Sequence, residues 1–324
     1  MPDFQRRSAH ASALSAMLLA SAGNAKAADI ELISPMKDVA ILEPADPAPP
    51  GGASAYSPTG PSPLWNIGQW NIPGGKLPPF TSSVEGNTKV WKTHSAEAAA
   101  ILSRRDDHEF VVDLRQDGSV LPCTSGASPR ESDLFLGPND RVQALQRGMT
   151  KDADRLALSD MTRLRASLDY AVRFGRSAKD NGCGVNQAAA LIGIVLGTGS
   201  SAQSPQTMFY QMSFSRFCGP APAARAKICG APPTQQTVYF PNNPFGVDDY
   251  LPLADEPYVH NGEARKLTVD LLPRLIKSIQ AGPPGVDQDI SHWHVAAMYL
   301  GQIIWGSVSM QTSWKNFDLT ATSK

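Results

Sequence analysis

The sequence predicts an all-β protein, an antiparallel β-sandwich of jelly-roll type carrying one short helix. Three observations lead there. Only 18% of the 324 residues are charged, while glycine and proline number 26 and 27. That balance suits turn-rich strands better than helices, whose outer faces are built from Lys, Glu and Arg. Short apolar segments recur between turn signals along most of the chain. One of them, Leu164 to Phe174, alternates, with Leu164, Ala166, Leu168, Tyr170, Val172 and Phe174 on one parity. A helix would scatter these side chains around its circumference, whereas a strand places them on a single buried face.

The remaining elements follow in order. Leu64 to Ile72 is rich in Trp and Ile and runs into the turn Pro73-Gly74-Gly75. Lys89 to Thr93 and Glu109 to Gln116 are strand candidates. Asp117-Gly118 before Ser119-Val120-Leu121 reads as a hairpin turn. Ala188 to Leu196 is a continuous apolar run, as expected of a strand buried on both faces. Gln206 to Phe217 alternates again, with Met208, Tyr210, Met212 and Phe214 on one side, and Gln236 to Phe240 is another short strand. Leu272 to Gln280 places Leu272, Leu275, Ile276 and Ile279 at helical spacing and stops at Ala281-Gly282-Pro283-Pro284. His292 to Leu319 returns to strands, with Gly301 and Gly306 expected at turns or bulges.

The first residues read as an export signal. Arg6 and Arg7 precede the apolar stretch from Ala13 to Ala22, and Ala25-Lys26-Ala27 fits a small-x-small cleavage site. The expected organisation is a signal peptide over 1–27, a Pro/Gly-rich leader over 28–63 and a sandwich domain over 64–324. The protein is expected to be secreted or periplasmic. No later stretch is apolar enough for a transmembrane segment. A net charge of −1, with no basic stripe, argues against nucleic acid as a partner. An exported chain with four cysteines favours two disulfides. Cys218 and Cys229 bracket a Pro/Ala-rich loop and are the natural local pair, leaving Cys123 with Cys183. The absence of any CxxC spacing argues against zinc.

Candidate sites are sparse. Asp107 and Glu109 share parity at the start of a strand and offer a carboxylate pair for glycosidase chemistry. His292 and His294 flank Trp293 and are placed to face the same way from a strand, as a glycan-binding, metal-binding or acid/base pair would. Asn243, Asp248 and Asp249 carry hard oxygen ligands suited to calcium, without EF-hand spacing. Gly197-Thr198-Gly199-Ser200-Ser201-Ala202 imitates a dinucleotide fingerprint, but a proline and a strand follow it, so it reads as a turn. The six tryptophans are the strongest positive signal, because aromatic faces stack on the apolar faces of sugar rings. Trp65, Trp70, Trp293 and Trp305 are the candidates, the first two flanked by Asn66, Gln69 and Asn71. Trp65 and Trp70 lie five apart and face opposite ways unless a bulge at Gly68 restores parity.

This layout over residues 64–320 resembles the concanavalin A-like class of lectins and glucanases, although no E-x-D-x-E run of the glucanase type occurs. The resemblance implies a lectin-like protein that binds a polysaccharide or glycoconjugate on a concave sheet, with calcium as the possible ion. A polysaccharide hydrolase or lyase on the same scaffold is the alternative, and a structural or adhesion protein of the envelope is the third.

Overall fold

A computed structural model describes residues 27–33, 65–105, 109–122, 131–138, 156–177, 179, 182, 186–198, 206–218, 236–240, 243–250 and 264–324. Within its strands, the side chains at 33, 65, 66, 104, 138, 176, 215–218, 236–240 and 243–250 are not described. The described residues form two sheets, whose strands in chain order are β1 (Asp29–Ile33), β2 (Trp65–Trp70), β3 (Thr81–Glu85), β4 (Thr88–His94), β5 (Ala98–Arg105), β6 (Phe110–Asp117), β7 (Glu131–Pro138), β8 (Met161–Arg176), β9 (Gln187–Thr198), β10 (Thr207–Cys218), β11 (Gln236–Phe240), β12 (Asn243–Tyr250), β13 (Arg265–Asp270), β14 (Trp293–Trp305) and β15 (Val308–Ser323). The eight-stranded sheet runs β13-β8-β15-β6-β5-β4-β3, with β1 also on β15. The seven-stranded sheet runs β11-β12-β10-β9-β14-β7-β2. Pairing is antiparallel throughout, except for a two-residue parallel contact between β10 and β12.

The sheets pack face to face as an all-β sandwich. Leu164, Ala166, Leu168, Tyr170 and Val172 of β8 are buried, as their alternation requires. Met208, Tyr210, Met212 and Phe214 of β10 meet them from the other sheet. Phe214 stands edge-on to Tyr170 at 4.7 Å and to Trp314 of β15 at 5.3 Å between ring centroids. These spacings are favourable for tilted aromatic pairs.

A chain of hydrogen bonds crosses the apolar core. Trp314 Nε1 donates to Thr312 Oγ1 (2.7 Å), and Thr312 Oγ1 donates to Gln302 Oε1 (2.8 Å). Gln302 Nε2 donates to Gln116 Oε1 (2.9 Å), and Gln116 Nε2 to Ser132 Oγ (2.8 Å). All five residues are buried. Buried polar groups are tolerated only when paired in this way, and a directional chain fixes β7 and β14 against β6 and β15.

The single described α-helix, α1 (Leu272–Gln280), buries Leu272, Leu275, Ser278 and Ile279. Asp270 Oδ1 accepts from Leu272 N and from Leu164 N, both at 3.1 Å. One carboxylate thus serves the first turn of the helix and ties it to β8.

Three expectations change. The leader begins with a strand rather than an arm: Asp29–Ile33 pairs with Thr322–Leu319 of β15, and Leu32 is fully buried. Asp117-Gly118 makes no hairpin. Residues 118–120 form a short 3-10 turn whose second amide, Ser119 N, donates to Asp117 Oδ1. Gly118 is needed there because a Cβ would lie 2.0 Å from the Gly306 carbonyl oxygen. Gly301 marks neither a turn nor a bulge but pairs regularly within β14. Gly306 does sit in the β14–β15 turn, at φ 77°. Of the cysteines, Cys123, Cys183 and Cys229 lie outside the described residues, and Cys218 ends β10 with its side chain undescribed.

Candidate functional site

The outward faces of the two sheets differ in kind. On the eight-stranded sheet many outward side chains are charged or polar, with ion pairs such as Lys315 to Glu109 (3.1 Å) and Arg165 to Asp318 (3.6 Å). On the seven-stranded sheet Phe135, Leu191 and Ile303 form a second apolar cluster, with Trp70, Tyr299 and Trp305 half-buried against it.

Register explains how these residues meet. Gly68, Phe135, Gly301 and Leu191 align across β2, β7, β14 and β9. Trp70, Asp133, Ile303 and Ala189 form the next row, and Glu131, Trp305 and Gln187 the one after. On the other side, Tyr299 pairs with Gly193, which pairs with Gln211 of β10.

Each of three rings lies over a glycine. A Cβ on Gly193 would fall 1.9 Å from the Tyr299 ring, one on Gly301 2.1 Å from Phe135, and one on Gly68 2.9 Å from Trp70. Tyr299 reaches across Gly193 so that its hydroxyl accepts from Gln211 Nε2 (2.8 Å). Phe135 lies 4.9 Å from Tyr299 and 5.6 Å from Trp70 between centroids. The rings thus form a continuous ribbon spanning β2 to β9.

Two carboxyls adjoin this ribbon. Glu131 Oε2 accepts from Trp305 Nε1 (2.9 Å), and the Glu131 carbonyl accepts from Asn71 Nδ2 (3.0 Å). Asp133 sits in register between Trp70 and Ile303. Burial pushes its carboxyl well above the ordinary range, and the charge and hydrogen bond of neighbouring Glu131 push it the same way. Asp133 Oδ1 is buried and has no hydrogen-bond partner. Burial also raises the Tyr299 phenol, with the Asp133 charge adding to the effect.

The predicted site residues scatter. Trp70 and Trp305 come together on this face. Strand β2 pairs with β7 without a register shift, so no bulge at Gly68 changes its parity. Trp65 opens β2 with its side chain undescribed. Trp293 is fully buried, and its Nε1 donates to the Asp287 carbonyl (2.9 Å), so neither of its faces is open to a ligand. His292 and His294 do not act as a pair. His292 belongs to the loop before β14, where its Nδ1 lies 2.7 Å from Asp287 Oδ2, a contact that raises its pKa. His294 is buried in β14 opposite Gly197. Asp107 lies outside the described residues, and Glu109 is engaged by Lys315 on the other sheet. Asn243, Asp248 and Asp249 fall in β12, whose side chains are not described. No cluster of three or more metal-ligating side chains occurs among the described residues. The dinucleotide-like run begins with Gly197 and Thr198 at the end of β9 and continues outside the described residues; β9 and β10 pair antiparallel, unlike the parallel strands of a dinucleotide-binding unit.

Sequence reasoning missed Glu131, Asp133, Phe135 and Tyr299. The signal for the first three was the run E-S-D-L-F over 131–135, acids and a ring on one parity.

No family model and no curated protein matches the chain. Among solved structures it is similar to the xyloglucanase domain of NopAA, a type three effector from Sinorhizobium fredii, in complex with cellobiose. That likeness covers 76% of this chain and 97% of that one, at 11% identity and a TM-score of 0.27. A TM-score that low carries no argument about function. Among the described residues, no helix is long and apolar enough to cross a membrane.

Proposed function

We propose that the protein is an exported glycan-recognition protein, and that the outward face of the seven-stranded sheet binds a polysaccharide or glycoconjugate. The observation carrying this reading is the aromatic ribbon of Trp70, Phe135 and Tyr299 lying over glycines, with Glu131 and Asp133 beside it. Rings supply apolar contact with the faces of sugar rings, and carboxyls supply acceptors for their hydroxyl groups. Among the described residues of this face, the two carboxyls are the only acids, and both stand on β7. Hydrolysis with two flanking carboxylates needs one on each side of the scissile bond. The layout therefore favours binding over cleavage.

A second reading, polysaccharide hydrolysis, has one observation in its favour. Burial and neighbouring Glu131 favour the protonated form of Asp133, and an acid next to a carboxylate is the usual division of labour in such enzymes. Export is supported by the segment over 1–27, and calcium at Asn243, Asp248 and Asp249 belongs to the same reading.

Affinity electrophoresis against a panel of soluble polysaccharides, read together with reducing-end release, tests these readings. Binding is expected without release, and Trp70→Ala or Trp305→Ala should weaken it by about tenfold. Release of reducing ends would establish the hydrolase. Loss of retardation in EDTA would bring calcium into the site. Neither retardation nor release would move the protein to a structural or adhesion role.

A further inference from the structure

The carboxyl pair at the edge of the aromatic ribbon has no counter-charge among the described residues. Neither Glu131 nor Asp133 pairs with a lysine or arginine among the described residues. Trp305 Nε1 serves one oxygen of Glu131. Asp133 Oδ1 is sealed from water yet lacks a donor, a state that costs free energy unless a ligand supplies the hydrogen bond. The neighbouring groups add to the demand for positive charge. Trp70 stands opposite Asp133 and Trp305 opposite Glu131, and aromatic faces attract cations. A hydroxyl would satisfy the hydrogen bond alone, whereas an ammonium group would also answer the two carboxyls and the rings.

We infer that this face selects glycans bearing free amino groups, with the sugar ammonium seated at Asp133 and Glu131 between Trp70 and Trp305. The inference rests on the glycan-binding reading and narrows it to a substrate class. It also fixes a proton balance. In the free protein burial and Glu131 shift Asp133 towards its protonated form. An ammonium beside it favours the ionised carboxylate, so binding releases a proton to solvent. Among the described residues, the other titratable groups facing Asp133 are Glu131 on its own strand and Tyr299 on β14; both carry negative charge when ionised and reinforce the preference for a cation.

The test is calorimetric titration of the full chain, in mildly acidic buffer, with three oligosaccharides of equal length: glucosamine, N-acetylglucosamine and glucose oligomers. The glucosamine oligomer is expected to bind about tenfold or more tightly than the other two. Its heat should depend on the ionisation enthalpy of the buffer, as proton release requires. Asp133→Asn and Glu131→Gln should abolish the preference and the buffer dependence while retaining the glucose oligomer. Glu85→Gln, on the other sheet, should change neither and so controls for bulk charge. Equal affinity for all three oligomers, with no proton release, overturns this inference and leaves the platform standing. Binding of none of the three overturns both.

Discussion

At the scale of single residues, the glycines of β9 and β14 are as much a part of the candidate site as the rings. Gly193→Ala would place a methyl group within 1.9 Å of the Tyr299 ring, so the ring must lift and leave Gln211. The expected cost is about 1–3 kcal/mol, visible as a lower thermal midpoint together with weaker glycan retardation. Asp133 makes a separate prediction. Its carboxyl titrates higher in the folded chain than in the unfolded one. The stability tied to its protonated form is therefore complete at acid pH and is lost as pH rises through the folded pKa. Asp133→Asn keeps a neutral donor towards Glu131 and cannot ionise. Its thermal midpoint should match the parent in acid and exceed it at neutral and alkaline pH. A difference that is constant across pH would contradict the assignment of Asp133 as a buried acid.

At the scale of elements, much could be read before folding and some could not. The alternation of β8 and β10, the doubly buried run of β9 and the bounds of α1 were legible because each depends on local periodicity. The candidate face was not, because it depends on register: Phe135 matters only once Gly301 lies opposite it, and Tyr299 only opposite Gly193. Trp70 and Trp305 could be named as aromatic candidates, but nothing local set them apart from Trp293, which the core absorbs. Asp117-Gly118 misled for the same reason. Its glycine answers a close approach from the β14–β15 turn, far away in sequence. Among these elements α1 offers the simplest test. Asp270→Ala removes the acceptor shared by Leu272 N and Leu164 N. It should cost about 0.5–2 kcal/mol, with faster amide exchange in the first turn of the helix and at Leu164.

At the scale of the whole molecule, the two sheets are joined by shape and by one polar thread. Gln302→Leu removes both the acceptor of Thr312 and the donor to Gln116. Leaving those buried groups without partners should cost about 1–3 kcal/mol each. Because Ser132 and Gln302 lie directly behind Asp133 and Ile303, glycan affinity should fall with stability, a pairing that denaturant titration and affinity electrophoresis would show together. The place of β15 in the larger sheet has a different consequence. It lies between β8 and β6 and also carries β1, yet it spans residues 308–323. Until those residues emerge from the ribosome, β13-β8 and β6-β5-β4-β3 are separate ribbons with no edge in common, and β1 has nothing to pair with. Such a topology defers closure of the larger sheet until β15 has been made. Before β15 is made, the larger sheet presents unpaired strand edges, and that is the stage at which the chain is most open to wrong pairing.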